Sequence, residues 1–141
     1  MVATSADLKA VKQFGGPNTR AVLVTYRKGG GLQTSVVTAV AGRDGQVWVW
    51  SRGSTAKIGN LRRDPRATLC VVDDDWHTWT HVEVTVEIVP QPQALPLLDD
   101  YYRLRHGREH PNWDDYRRQM LAEARVLFRA TPTRVFHPPR D

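Results

Sequence analysis

The chain has 141 residues, 40 % of them hydrophobic and 25 % charged, the size and composition of one folded domain, which excludes a disordered or fibrous protein. Twenty basic against fifteen acidic residues give a formal charge of +5, which points to anionic partners without naming one. The single cysteine, Cys70, excludes an intramolecular disulfide framework and fits a reducing, cytoplasmic setting, and no apolar run approaches the roughly 18 residues of a membrane span. Met1 to Ala10 offers no apolar stretch for an export signal, so export is not expected.

In chain order, Ala6 to Phe14 has loosely helical apolar spacing and ends at Gly15-Gly16-Pro17-Asn18. Ala21 to Tyr26 and Leu32 to Ala41 are β-branched and aromatic runs joined by Lys28-Gly29-Gly30-Gly31, which predicts an antiparallel pair. After the turn Gly42-Arg43-Asp44-Gly45, Val47 and Val49 alternate with Trp48 and Trp50, so the third strand has two apolar or aromatic faces. Ser54 or Thr55 can cap a short helix with Ile58 and Leu61 on one face, and Asp64-Pro65 ends it. Ala67 to Val72 predicts a fourth strand, Asp73-Asp74-Asp75 a polar break, and Val82 to Ile88 a fifth strand alternating with period two. Helices are predicted over Ala94–Arg105 and Trp113–Ala124. Arg125 to Ala130 then alternates again, and Arg134-Val135-Phe136 resembles a last strand edge before Pro138-Pro139. Short turns between strands predict a mainly β protein, an antiparallel sheet closed into a small barrel with a few peripheral helices.

Most chemical motifs are missing. His106 and His110 are four apart, but Gly107 and Pro111 argue against a shared helical face, and no metal is expected. The aspartate triplet lacks a calcium-loop pattern and reads as a solvated turn. Cys70, within an apolar strand, reads as a buried structural thiol. No nucleophile elbow or glycine-rich nucleotide loop is found, and the basic residues lack a nucleic-acid recognition motif. What remains is Arg52 to Arg66, where five basic residues (Arg52, Lys57, Arg62, Arg63, Arg66) accompany one acid, Asp64. The Ser54 and Thr55 hydroxyls, the free N–H groups of a helix start and the Lys57 ammonium together suit a phosphate or carboxylate. Trp76 and Trp79, in a loop after a strand, read as marking a buried seam, as core anchors or as a wall for an aromatic ligand or a partner subunit.

The succession Leu32-Gln33-Thr34-Ser35-Val36-Val37, Val47-Trp48-Val49-Trp50-Ser51 and Thr55-Ala56-Lys57-Ile58-Gly59-Asn60-Leu61-Arg62-Arg63-Asp64-Pro65-Arg66 resembles the pyridoxamine 5′-phosphate oxidase-like split β-barrel family. It is most similar to the branch that uses the deazaflavin coenzyme F420. The resemblance implies a homodimer with cofactor sites between subunits. It implies Thr55, Ala56 and Lys57 at the cofactor phosphate, with Asn60 on the same motif, and Trp50 and Ser51 beside the ring and ribityl chain. Gln33 and Ser35 would lie near the ring, Trp76 and Trp79 would come from the other subunit, and Arg52, Arg62 and Arg63 would meet the anionic tail. The chain has Glu83-Val84-Thr85 where the family commonly reads Glu-Gly-Thr, so a valine fills space that glycine leaves open. The implied activity is hydride transfer from reduced deazaflavin to an unsaturated or quinone-like small molecule, with the reactive chemistry residing in the cofactor. The alternatives are an FMN enzyme of the same fold and a non-catalytic protein holding a flavin, deazaflavin or haem.

Overall fold

The computed structural model describes residues 19–42, 45–72 and 76–136. The helix expected over Ala6–Phe14, Arg43 and Asp44 of the second turn, the Asp73–Asp75 triplet and the tail from His137 lie outside the described residues. Strands β1 (Arg20–Tyr26), β2 (Leu32–Ala41) and β3 (Val47–Ser51) precede helix α1 (Ala56–Arg63). Strands β4 (Arg66–Val72) and β5 (Trp79–Val89), helices α2 (Ala94–His106) and α3 (Trp113–Ala122), and strand β6 (Val126–Phe136) follow. All pairings are antiparallel, and the sheet closes into a barrel in the order β1-β2-β3-β6-β5-β4.

The β1–β2 hairpin turns on Gly29 and Gly30, whose φ values of 93° and 96° are accessible without penalty only to glycine. Arg27 N–H donates to the Gly31 carbonyl at 2.7 Å and closes the turn. Alternation along each strand sends Leu23, Leu69, Val82 and Phe128 into one interior core, which the Ile58 and Leu61 side chains of α1 cover. A second core lies outside the barrel, where Val40, Trp48 and Leu127 meet Leu98, Tyr101, Tyr116 and Met120 of α2 and α3. Strand β3 is therefore covered on both faces, as its double apolar pattern predicts.

Three expectations need correction. The last two segments form one strand, β6, whose ladder to β5 shifts register between Glu83 and Val84. Pro132 pairs with Val84 there and has no N–H to give, while Thr133 Oγ1 donates to the Glu83 carbonyl at 3.1 Å and keeps that acceptor satisfied. Cys70 is half-buried on the outer face of β4, between Val22 and His81 across the ladders, because Ala67, Leu69 and Val71 take the inward positions. Helix α3 stops at Ala122, with Ala124 at a φ of 48°. Val84 belongs to the barrel interior, packed with the core rather than facing the groove described below. Among the described residues no helix is long and apolar enough to cross a membrane.

Candidate functional site

The stretch from β3 to α1 folds as a tight strand-to-helix turn. Ser51 is buried, its hydroxyl lies 2.9 Å from that of Thr55, and both hydroxyls reach the Arg52 carbonyl. Gly53 is required because an added Cβ would sit 2.6 Å from the Ala124 carbonyl oxygen, so the turn packs directly on the chain leaving α3. Thr55 is the residue before α1 and has extended backbone angles, but its side chain caps nothing in the helix. The hydroxyl is spent on the turn, so the first-turn N–H groups of Ala56 and Lys57 take no acceptor from Thr55.

Beside this turn lies a groove of about 330 Å³. Trp50, Ser51, Arg52, Thr55 and Lys57 form one side, and Arg20 of β1 with Val36 to Thr38 of β2 form the other. Arg20 is brought there by its pairing with Thr38. Tyr101 O–H donates to the Thr38 carbonyl at 2.9 Å and ties α2 to the groove wall. Three cations thus line one groove. Among the described residues, Arg52 alone of them has an ion pair, to Glu123 at 3.7 Å. Burial pulls the Lys57 ammonium below its ordinary pKa, and among the described residues no carboxylate pairs with it.

Of the residues singled out in the sequence, five line this groove: Trp50, Ser51, Arg52, Thr55 and Lys57. Ala56 stands exposed at the head of α1. Asn60 turns the other way: its Nδ2 donates to Thr25 Oγ1 at 3.1 Å and to Gln33 Oε1 at 3.0 Å, and its Oδ1 accepts from Arg63 Nη2 at 2.6 Å. Gln33 is thereby committed to a polar knot under α1. Ser35, half-buried opposite Leu23, lies on the same inward row of β2 as Gln33. Arg62 is exposed on α1. Trp76 is not buried in the chain, being 76 % exposed in a left-handed conformation at φ 62°. Trp79 is half-buried and packs on Phe136 with ring centres 6.2 Å apart. His106 and His110 both rest against the Tyr102 ring, at 4.3 and 4.9 Å between centres.

Arg20 and the Val36–Thr38 wall escaped the sequence reading because only strand pairing brings them across from Lys57; an arginine heading an apolar strand carries no such signal. The arrangement can hold a phosphate or carboxylate against Lys57 and Arg20 and a flat ring against Trp50, which fits a flavin-type nucleotide by its donor set.

A family profile described as pyridoxamine 5′-phosphate oxidase matches residues 8–137. A conserved hypothetical protein of Mycobacterium tuberculosis, Rv2991, is 24 % identical with a TM-score of 0.73, over 100 % of this chain and 92 % of its own. A structure titled F420 reductase is 21 % identical with a TM-score of 0.63, over 87 % of this chain and 92 % of its own. The haem storage protein HutZ from Vibrio cholerae is 15 % identical with a TM-score of 0.68, over 94 % of this chain and 93 % of its own. Likenesses at these identities establish the fold they share.

Proposed function

Since the chain belongs to the pyridoxamine 5′-phosphate oxidase family, we propose that it is an oxidoreductase that uses coenzyme F420 and passes a hydride to an unsaturated or quinone-like small molecule. The observation that carries this reading is the desolvated Lys57, which shares its groove with Arg20 and Arg52 and with no carboxylate among the lining residues. A phosphodiester with a carboxylate tail meets all three cations, whereas the single phosphate of FMN leaves some of them unmatched. The structure titled F420 reductase supports the same choice.

When bound, reduced deazaflavin supplies the hydride. Lys57 and Arg20 hold the anion, Trp50 offers a flat apolar wall, and the Ser51–Thr55 pair stiffens the turn that presents Lys57. We assign the acceptor side of the site to a second copy of the chain. Val36 lines the groove yet is 74 % exposed in mid-strand, and Leu32 and Tyr26 continue an apolar outer face on β1 and β2. A partner covering that face also accounts for the exposed Trp76, whose indole would then close the groove from the other subunit. One cysteine, unpaired, suits work in the cytoplasm.

The test is a fluorescence titration of the purified full chain with oxidised F420 and, separately, with FMN, followed by oxidation of reduced F420 with menadione as acceptor. Preferential F420 binding and protein-dependent turnover support the reading. Preference for FMN moves the protein to the flavin alternative, and tight binding without turnover of any acceptor moves it to the carrier alternative.

A further inference from the structure

A second cavity, of about 170 Å³, lies between α2, α3 and the chain entering β6, and the proposed reaction makes no use of it. It shares one residue with the groove, Trp50. We propose that this cavity is a separate binding site for a small planar aromatic carboxylate, held by Arg105 and Arg125 and enclosed by Trp50, Tyr102 and Tyr116.

Two guanidiniums line the cavity, Arg105 from the last turn of α2 and Arg125 before β6, and no lining residue is acidic. Arg125 is fixed in place: its guanidinium lies 3.8 Å from the centre of the Trp50 ring and its Nε donates to Glu123. A guanidinium whose plane is already set loses little entropy on accepting a carboxylate. Two of the lining phenols are already bonded to backbone. Tyr101 O–H donates to the Thr38 carbonyl and Tyr116 O–H to the Leu98 carbonyl, both at 2.9 Å, so neither phenol proton is available to a ligand. Burial pushes Tyr116 up to about 12, and burial with the neighbouring Arg105 and Arg108 pulls His106 down, so the ionised side chains lining the cavity are the two arginines, Arg125 being paired with Glu123.

The walls select for a ring. Tyr102 stands edge-on to Tyr116 with centres 5.3 Å apart, and Leu98 and Met120 form an apolar floor. A cavity of roughly 150 Å³ accommodates benzene, so this one has room for one ring with a short anionic substituent. Nothing in this inference depends on which cofactor the groove binds.

Benzoate is the probe, read by calorimetry and by tryptophan fluorescence on the full chain, with acetate and benzyl alcohol as controls. Benzoate should bind about tenfold or more tightly than either control, because both the charge and the ring are recognised. Arg125→Gln should weaken it about tenfold or more. Gln119→Trp, a change at an exposed position of α3 that lines the cavity, should block it to a similar degree without removing a core group. Lys57→Gln should shift it by less than about twofold. Equal binding of acetate and benzoate, loss of binding in Lys57→Gln, unchanged binding in both Arg125→Gln and Gln119→Trp, or no benzoate binding at all would each overturn the assignment.

Discussion

The two flanks of α1 use similar polar side chains in opposite ways. On the Asn60 flank the amide donates to Thr25 and Gln33 and accepts from Arg63, with Asn60 and Thr25 buried beneath the helix and the exposed Arg63 closing the group from outside. On the Lys57 flank, Lys57 and Arg20 share a groove in which no lining residue offers them a carboxylate. A satisfied buried network specifies architecture, because any loss leaves orphaned polar atoms. An unmatched charge held partly out of water adds nothing to folding and is best explained by a ligand that supplies the missing anion.

The largest effect is expected of Asn60→Ala. It orphans Gln33 Oε1 and removes the link to Thr25, and it should cost about 2–3 kcal/mol of stability. Thermal denaturation should show a fall in Tm of roughly 5–10 °C. Lys57→Ala should do the reverse, weakening F420 by about 1–3 kcal/mol in a calorimetric titration while leaving Tm nearly unchanged. Equal stability losses at the two positions would erase the distinction between the flanks.

The pH dependence of binding sharpens the same contrast. Lys57 has a lowered pKa in the free protein, and an anion beside it favours the ammonium and raises that pKa. Affinity should therefore hold at neutral pH and fall as pH rises through the lowered lysine value, with a proton taken up on binding in that range. Lys57→Arg should flatten the profile. Arg52→Gln should have a smaller effect, about 1 kcal/mol or less, because its side chain is 63 % exposed and already shares Glu123. The smallest effect belongs to Asp64, at the end of α1. Side-chain and backbone hydrogen bonds from Arg66 hold its carboxyl at about 2. Its contribution is present above the unfolded value of 3.8 and is lost as pH falls through about 2, so Asp64→Asn should remove a slight acid-side dependence of Tm.

The barrel was legible because its signals are local. Period-two alternation in Val82–Ile88, the glycine turn after Tyr26 and the double apolar pattern of Val47–Trp50 each specify an element without reference to distant residues. What escaped depends on pairing. The continuity of β6 through Pro132 rests on a register shift opposite Glu83, and the outward position of Cys70 follows from which β4 residues face the core. The same division runs through the site. Trp50 to Lys57 lie close in sequence and are found together in the groove, while Arg20 and Thr38 reach it only through the β1–β2 ladder. Gln33 and Asn60 carry the right chemistry for ligand contacts, but their 27-residue separation conceals that they bond to one another.

The most direct measurement is one paired experiment on wild type and Lys57→Ala: calorimetric titration with oxidised F420, and thermal melting of the same samples. Wild type should bind F420, the variant should lose about five- to 150-fold in affinity, and both should melt at nearly the same temperature. Undiminished affinity in a fully folded Lys57→Ala protein would contradict this expectation.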